Sequence, residues 1–268
     1  MKDIQSTPDF RNISLREAGI KDLKYPITIL DREEREQTTV ADISMSVSLP
    51  HHFKGTHMSR FLEVLTSSGC QFTGSTIPVV LQKLKESLEA ESARIRIEFP
   101  YFLTKQAPVT GAEAKMSYLC AFTGESNSDK EDFVLTVTVP VGTLCPCSRE
   151  ISHAGAHNQR GYITMDVRTE KKPDGTFALI WIEELVEIAE TSASSPLYTI
   201  LKRPDEKFVT EQAYNNPVFV EDIVRNVAEK LREDPRVTQF TVTAENQESI
   251  HNHNAYAVVT WERTDTQP

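Results

Sequence analysis

Residues 133–169, FVLTVTVPVGTLCPCSREISHAGAHNQRGYITMDVRT, hold the stretch on which the predicted fold and the predicted chemistry both depend. The runs 133–141 and 161–169 are rich in β-branched residues and are typical of strands. The loop between them contains two cysteines, two histidines and two arginines, and loops held by strands often carry function. A thiolate and an imidazole are good ligands for a borderline transition metal, so Cys145 and His157 are the first candidates for a metal site.

The chain before this stretch predicts a block of paired strands and helices. Residues 1–20 are polar and lack a sustained period, which is typical of an arm. Two helices are expected, one that ends at Gly69 and one that is capped by Ser75 or Thr76. Apolar alternation predicts one pair of strands before these helices and one pair after them, at 25–30, 38–49, 94–103 and 114–122.

The chain after residue 127 repeats this order of elements. Strands are predicted at 133–141, 161–169, 237–243 and 255–261. One helix is expected at 182–191, and a second has Asn216 as its N-cap and Pro217 in its first turn. The second helix carries an apolar stripe that must pack against a sheet, formed by Phe219, Ile223, Val227 and Leu231.

The repeated order predicts an α+β fold in which one architecture is used twice. Each unit is expected to be an antiparallel sheet with two helices on one face. The first unit is predicted at 1–126 and includes the N-terminal arm, and the second is predicted at 127–268. The second unit contains the Cys/His loop, so it is expected to carry most of the active-site residues.

Composition excludes several classes of protein. The 268 residues carry a net charge of −10, which argues against general nucleic-acid binding because phosphate backbones require a basic surface. Apolar runs are shorter than the roughly 20 residues of a membrane span, and the first residues do not resemble a signal peptide. With four cysteines that are too few for a disulfide framework, these features predict a cytoplasmic protein.

Three acidic residues outside the Cys/His loop are further candidates, each with a structural alternative. Glu206 lies in the polar segment 201–207, which is also typical of a solvated loop. Glu221 falls near the start of the second helix, where the helix dipole stabilises a carboxylate by roughly 0.3–1 kcal/mol. Glu248 and His251 are three residues apart and suit proton transfer, but a loop rich in Asn, Ser and His also forms turns for local reasons.

The remaining cysteines carry weaker signals. The spacing Cys145-Pro146-Cys147 differs from the Cys-x-x-Cys of redox sites and zinc knuckles, and the role of Cys147 is left open. Cys70 and Cys120 lie among apolar residues, which predicts that both are packed in the core.

Five blocks of sequence form a distinctive set, KGTHMSRF at 54–61, TLCPCSREIS at 143–152, GAHNQR at 155–160, LKRPDEKFVTE at 201–211 and ESIHNH at 248–253. These blocks closely resemble the type IB GTP cyclohydrolases and extend over nearly the whole chain. The resemblance implies a tandem tunnelling fold, in agreement with the repeated order of elements. It also implies a homotetramer with active sites at subunit interfaces.

The resemblance implies a reaction as well. Enzymes of this family open the imidazole ring of GTP, release C8 as formate and reclose the skeleton as 7,8-dihydroneopterin triphosphate, an entry to folate-type pterins. They require one divalent metal ion per active site, with Zn, Mn and Fe as the candidates. The triphosphate needs cations despite the net charge of −10, and the plausible suppliers are Arg149, Arg160, Lys202 and Arg203.

The resemblance also implies roles for individual residues. Cys145 and His157 resemble metal ligands, and Glu206 resembles the third ligand, although Glu248 is an alternative for that place. Glu221 resembles the acidic anchor for the guanine edge. Glu248 and His251 are then the candidates for proton transfer. Cys145 is also counted as catalytic, because it would bind the catalytic metal. Sequence does not decide between Glu206 and Glu248 as the ligand.

Two other functions are compatible with the same fold. A tunnelling-fold reductase that acts on a deazapurine nitrile would use a cysteine as a nucleophile and would need NADPH instead of a metal. A purine-binding protein without activity would keep the fold alone. The joint presence of the six candidate residues argues against the second alternative, because a scaffold has no physical need for all of them.

Overall fold

The computed structural model describes residue 5 and residues 7–32 and 35–264. These residues form nine strands and six helices, a mixed α+β protein in agreement with the predicted class. In chain order the elements are β1 Leu15–Asp31, β2 Arg35–Leu49, α1 Met58–Ser67, β3 Gln71–Phe72, α2 Ile77–Leu88, β4 Ala93–Gln106, β5 Glu113–Ser126, β6 Glu131–Leu144, α3 Pro146–Ile151, β7 Asn158–Thr169, α4 Ile182–Glu190, α5 Arg203–Asn215, α6 Val220–Glu233, β8 Val237–Gln247 and β9 Ala255–Glu262. No helix in the described part of the chain has the length and apolar character needed to cross a bilayer.

Contacts divide the chain into two compact units, and the three strands β4, β5 and β6 contribute residues to both. The first unit consists of Met1–Pro100, Ala121–Leu135 and Lys171–Leu179. The second unit consists of Tyr101–Cys120, Thr136–Glu170 and Ile180–Pro268. The boundary predicted between residues 126 and 127 falls in the turn between β5 and β6. The division of the sequence into two repeated units at this boundary stays a prediction.

In the first unit the strand order is β3-β1-β2-β4-β5-β6. β1 and β2 form a long antiparallel hairpin, and β2 also pairs with β4 in the antiparallel sense. Alternate residues of β2 are buried because successive strand side chains point to opposite faces of the sheet. α2 lies so close to β5 that a Cβ atom on Gly124 would come within 2.3 Å of Ile77 Cγ2. Glycine at this position therefore allows the helix to pack directly on the sheet.

In the second unit the strand order is β4-β5-β6-β7-β8-β9. β7, β8 and β9 pair in the antiparallel sense over most of their length. α6 contacts β8 and β9, and it buries Ile223, Val227 and Leu231 of the predicted stripe. This packing fixes the start of α6 relative to the ends of the strands, where the candidate residues lie. Phe219 was wrongly included in the predicted stripe, because it is the N-cap of α6 and its side chain is 41% exposed.

The structure corrects several sequence-based expectations. β1 begins at Leu15, so the arm predicted over residues 1–20 is wrong from residue 15 onward, and residues 1–4 and 6 lie outside the described residues. The segment 201–207 is not a solvated loop, because α5 begins at Arg203. The second unit carries α3 and α5 in addition to the two expected helices. Cys120 is buried as predicted, whereas Cys70 is exposed.

Asn216 has a different place from the predicted one. It ends α5 as its C-cap, and its side-chain Nδ2 donates a hydrogen bond to the carbonyl of Ala193 at 2.8 Å. α6 begins four residues later at Val220, with Phe219 as its N-cap. The prediction that Glu221 lies in the first turn of this helix is confirmed.

Candidate active site

The ends of β6 and β7 bring Cys145 and His157 together. The backbone N–H of Cys145 donates to the carbonyl of His157 at 3.2 Å. Farther along the same pair of strands, Thr138 and Thr164 hydrogen-bond through their hydroxyls at 3.0 Å. Both contacts fit one antiparallel register, so Cys145 and His157 are cross-strand neighbours, whose Cβ atoms lie about 4.5–5.5 Å apart in a regular ladder.

Ser148 ties both candidate ligands to α3. Cys145 is the N-cap of this short helix, with Pro146 in its first turn, and the thiol sulfur accepts the N–H of Ser148 at 3.4 Å. The hydroxyl of Ser148 in turn accepts the backbone N–H of His157 at 3.1 Å. The sequence Cys-Pro-Cys-Ser therefore starts a helix, and the helix orients the Cys145 side chain.

One ring nitrogen of His157 contacts a side-chain hydroxyl. Its Nδ1 lies 3.4 Å from the hydroxyl oxygen of Ser249, in the loop after β8. Histidine ligands of metals usually hydrogen-bond through the nitrogen that does not bind the metal, which fixes the tautomer and the ring orientation. The Ser249 contact therefore leaves Nε2 as the nitrogen for a metal.

Glu248 is held by a residue that the sequence analysis did not select. Its Oε1 accepts a hydrogen bond from Nε2 of Gln159 at 2.8 Å. The Oε1 of Gln159 accepts the hydroxyl of Thr143 at 3.2 Å. His251, the other proton-transfer candidate, stacks on His253 with 5.2 Å between ring centroids, and both rings are exposed. Glu248 and His251 thus contact different partners in this structure.

A backbone hydrogen bond holds the segment just before α6 beside the end of β6. The N–H of Val218 donates to the carbonyl of Leu144, the residue before Cys145, at 3.2 Å. The N–H of Leu144 donates to the hydroxyl of Ser194 at 3.0 Å. Glu221 follows in the first turn of α6 with an exposed side chain. The predicted guanine anchor and the Cys/His pair are therefore carried by two connected chain segments.

Glu206 lies in the first turn of α5, next to Asp205, whose hydrogen bonds hold this turn in place. Asp205 is fully buried and accepts backbone N–H groups from Val109, Thr110 and Lys202, together with the hydroxyl of Thr110. Burial opposes ionisation of Asp205, but the hydrogen bonds from these groups outweigh it and hold the pKa of its carboxyl well below the usual range. Glu206 itself is exposed.

The predicted three-ligand set is not assembled within one chain. Among the described residues, no group of three or more His, Cys, Asp or Glu side chains is close enough to hold a metal ion. Cys145 and His157 provide two donors next to the ends of neighbouring strands, and Glu206 is held on a separate helix.

The four candidate cations for the triphosphate have different surroundings. The guanidinium of Arg149 lies over the ring of Tyr214, 4.7 Å from its centroid. Arg160 lines a cavity of about 520 Å³ in the second unit, together with Lys115 and Tyr198. Lys202 and Arg203 are exposed where α5 begins.

Comparison with known proteins identifies the family. A family model described as type I GTP cyclohydrolase folE2 matches residues 1–257. The chain belongs to this family. A relative named GTP cyclohydrolase FolE2 from Syntrophus aciditrophicus is 52% identical, covering 97% of this chain and 99% of its own. A relative of the same name from Thermosipho melanesiensis is 54% identical, covering 97% of each chain.

Solved structures confirm the fold of this family member. Uricase from Arthrobacter globiformis superposes with a TM-score of 0.56 at 8% identity, covering 94% of this chain and 95% of the uricase. Urate oxidase from Bacillus sp. TB-90 gives a TM-score of 0.54 at 10% identity, covering 93% of this chain and all of the oxidase. At these identities the similarity concerns the fold, which is the predicted tunnelling fold.

Proposed function

We propose that the chain is a metal-dependent GTP cyclohydrolase I of type IB, which converts GTP and water to 7,8-dihydroneopterin triphosphate and formate. The observation that carries this conclusion is the match to relatives named GTP cyclohydrolase FolE2 at 52% and 54% identity over 97% of the chain. The substrate is GTP, and the product leads to folate-type pterins. The cytoplasm is the proposed location, because the four cysteines are free and a reducing compartment keeps thiols free.

The residues at the ends of β6 and β7 fit a divalent metal. Cys145 and His157 offer a sulfur and an imidazole nitrogen from neighbouring strands, and Ser249 holds the opposite nitrogen of the imidazole. Glu206 is the proposed third ligand, with Glu248 as the alternative. A bound Zn, Mn or Fe ion would lower the pKa of a coordinated water enough to supply hydroxide at neutral pH for hydrolysis at C8.

Glu221 is the proposed anchor for guanine. A carboxylate can accept two parallel hydrogen bonds from N1 and N2 of guanine, and this geometry selects guanine over adenine. The first turn of α6 supports a negative charge through the helix dipole. The hydrogen bond from Val218 to Leu144 supports the proposal that Glu221 lies close to Cys145. One purine can contact the anchor and the metal site only if these two residues are close together.

Glu248 and His251 are the proposed groups for proton transfer. Opening of the imidazole ring and rearrangement of the ribose each need protons to be accepted and returned, and a carboxylate and an imidazole can do both. Glu248 lies directly after β8, and His251 lies three residues farther along the same loop. Arg149, Arg160, Lys202 and Arg203 are the proposed source of cations for the triphosphate.

A homotetramer with active sites at subunit interfaces is the proposed assembly. β9 comes last in the strand order of the second unit, and edge strands present unpaired N–H and C=O groups that can pair with another chain. Its sequence AYAVVTWE contains neither Lys nor Pro, the residues that commonly block such pairing. Tyr256 and Val258 on this strand are 72% and 52% exposed. At such an interface, a second subunit would also supply metal-binding side chains that the described residues of one chain do not bring together.

The test is a metal reconstitution assay. Chelated protein is incubated with GTP, Mn²⁺, Zn²⁺ or Fe²⁺ is added singly, and formate and the fluorescence of the oxidised pterin are measured. We expect both products in a 1:1 ratio with at least one metal and neither product before metal is added. Full activity in protein shown by elemental analysis to lack metal would contradict the proposal, as would inactivity with all three metals. A nitrile reductase would instead oxidise NADPH and release no formate.

A further inference from the structure

The side chains of Thr143, Gln159 and Glu248 form a hydrogen-bonded row across three adjacent strands. Gln159 is on β7, Thr143 is on β6, and Glu248 directly follows β8. The register of β7 and β8 pairs Gly161 with Asn246, so continuing that register by two residues places Gln159 opposite Glu248. The hydroxyl of Thr143 donates to Gln159 Oε1 at 3.2 Å, and Gln159 Nε2 donates to Glu248 Oε1 at 2.8 Å.

The amide of Gln159 satisfies both neighbours in only one orientation. An ionised carboxylate has acceptors but no donor, so the NH₂ group of Gln159 must face Glu248. The amide oxygen then faces Thr143, whose hydroxyl can donate to it. Thr143 thus fixes the amide, and the amide fixes the carboxylate.

Burial makes this row rigid. Thr143 is 1% exposed, and Gln159 and Glu248 are half-buried. Gly161 leaves the room that this packing needs, because a Cβ atom there would lie 2.8 Å from Asn246 Oδ1 and 3.1 Å from Thr143 Cγ2. A hydrogen bond that is partly shielded from water is stronger than a fully exposed one.

We propose that Gln159 is a positioning residue that acts through Glu248, with Thr143 holding its amide. This inference rests on the proposed function, in which Glu248 transfers protons. The Gln159 amide occupies Oε1 of Glu248, which holds the carboxylate in one orientation and directs proton transfer to Oε2. Glu221 binds guanine elsewhere, so loss of Gln159 affects turnover more than affinity for GTP.

The experiment measures kcat, KM for GTP and metal content for variants of the full-length, metal-loaded protein. Gln159→Met keeps the length of the side chain but lacks the donor, and we expect kcat to fall about tenfold to a hundredfold, part of the typical effect of acid–base catalysis. KM and bound metal should change less than about threefold, since neither depends on this bond. Gln239→Met, on β8 opposite Arg168, is the matched control and should retain wild-type kinetics.

Thr143 supplies a second variant pair in case Gln159→Met folds poorly. Thr143→Val removes the hydroxyl with little change in shape, and kcat should fall by a factor smaller than that of Gln159→Met. Thr143→Ser keeps the hydroxyl and should restore kcat. A purely steric role for Thr143 predicts the reverse order, with the valine variant more active than the serine variant.

A double-mutant cycle decides whether Gln159 acts through Glu248. In a Glu248→Ala background, Gln159→Met should produce no further loss of kcat, because the group that it positions is absent. An equal loss in both backgrounds would overturn the inference, and so would unchanged kcat in the active wild-type background. Inactivity of the wild type with every metal would overturn the proposed function itself, so the two failures are distinguishable.

Discussion

Cys145 and Cys147 are two residues apart, yet their surroundings differ. Cys145 is half-buried at the end of β6 and is a cross-strand neighbour of His157, whereas Cys147 is exposed on α3. The sequence made Cys145 the candidate ligand and left the role of Cys147 open. The strand register favours Cys145.

We therefore expect Cys145→Ala to lose bound metal and turnover together, because the site loses one of its strongest donors. Cys147→Ala should retain about one metal ion per chain and most of the activity. Elemental analysis after gel filtration measures the metal, and formate release measures turnover. Wild-type metal content in Cys145→Ala would show that the thiol of Cys145 is not a ligand.

Glu221 permits a test of binding that is independent of turnover. In metal-free protein, Glu221→Gln should weaken GTP binding by at least about tenfold, because one of two charge-assisted hydrogen bonds to guanine is lost. Calorimetric titration measures the affinity, and ATP serves as the competing nucleotide. Asp222→Asn, at the next position of the same helix, removes the negative charge that pairs with Arg225 and should leave the affinity unchanged. Wild-type affinity of Glu221→Gln for GTP would remove its anchoring role.

The sequence motifs identified the residues with reactive side chains but not the residues that orient them. Gln159 and Ser249 contact Glu248 and His157 across strands, and such contacts depend on register, which the sequence does not reveal. Alternation along β7 was an available signal for Gln159, since residues two apart share a face and His157 was already a candidate. Nothing comparable marked Ser249 within its polar loop.

At the scale of elements, the two main helices of the site differ in how well the sequence reveals them. α6 carries apolar residues at helical spacing that become buried, so its pattern was recognised. α5 was missed because its residues are mostly polar and its buried residue is Asp205, an acidic residue that the pattern does not mark as core. A polar helix held by buried hydrogen bonds looks like a loop in the sequence.

Asp205 makes the stability of α5 dependent on pH. The pKa of its carboxyl is depressed, so its contribution to stability is fully present above the unfolded-state pKa of about 3.9 and is lost as pH falls through the lower folded-state pKa. Asp205→Asn should therefore lower the free energy of unfolding at pH 7, and its difference from wild type should narrow as pH falls below about 4.

Urea unfolding at several pH values measures this effect. Glu211→Gln is the control on the same helix, since Glu211 is exposed and pairs with Lys207 across one turn. That variant should remain close to wild type across the range, because exposed pairs contribute little. A gap between Asp205→Asn and wild type that stays constant or widens toward acid would contradict the role of the buried carboxylate.

At the scale of the whole molecule, fold and function rest on different observations. The uricase structures share the fold at 8% and 10% identity, and their names denote a different activity. The function is supported instead by family membership and by the residues at the ends of β6 and β7. The repeated order of elements was enough to predict the fold class, since it depends on periodicity rather than on particular residues.

Assembly is the prediction that belongs to this scale. If β9 forms a subunit interface, Val258→Asp places a charge there and should shift the protein from a mass four times the 30.2 kDa of one chain toward smaller species. Activity should fall in parallel if active sites lie at the interfaces. Light scattering coupled to gel filtration measures the mass. Val79→Asp, on an exposed face of α2, is the control and should keep the wild-type mass.

The most direct test of the metal mechanism is X-ray absorption spectroscopy of the zinc-loaded protein. We predict one sulfur at about 2.3 Å and at least one nitrogen at about 2.0 Å in the coordination shell. The sulfur should disappear in any zinc that Cys145→Ala still binds. A shell of oxygen and nitrogen alone in active wild-type protein would contradict the central claim that Cys145 and His157 hold the catalytic metal.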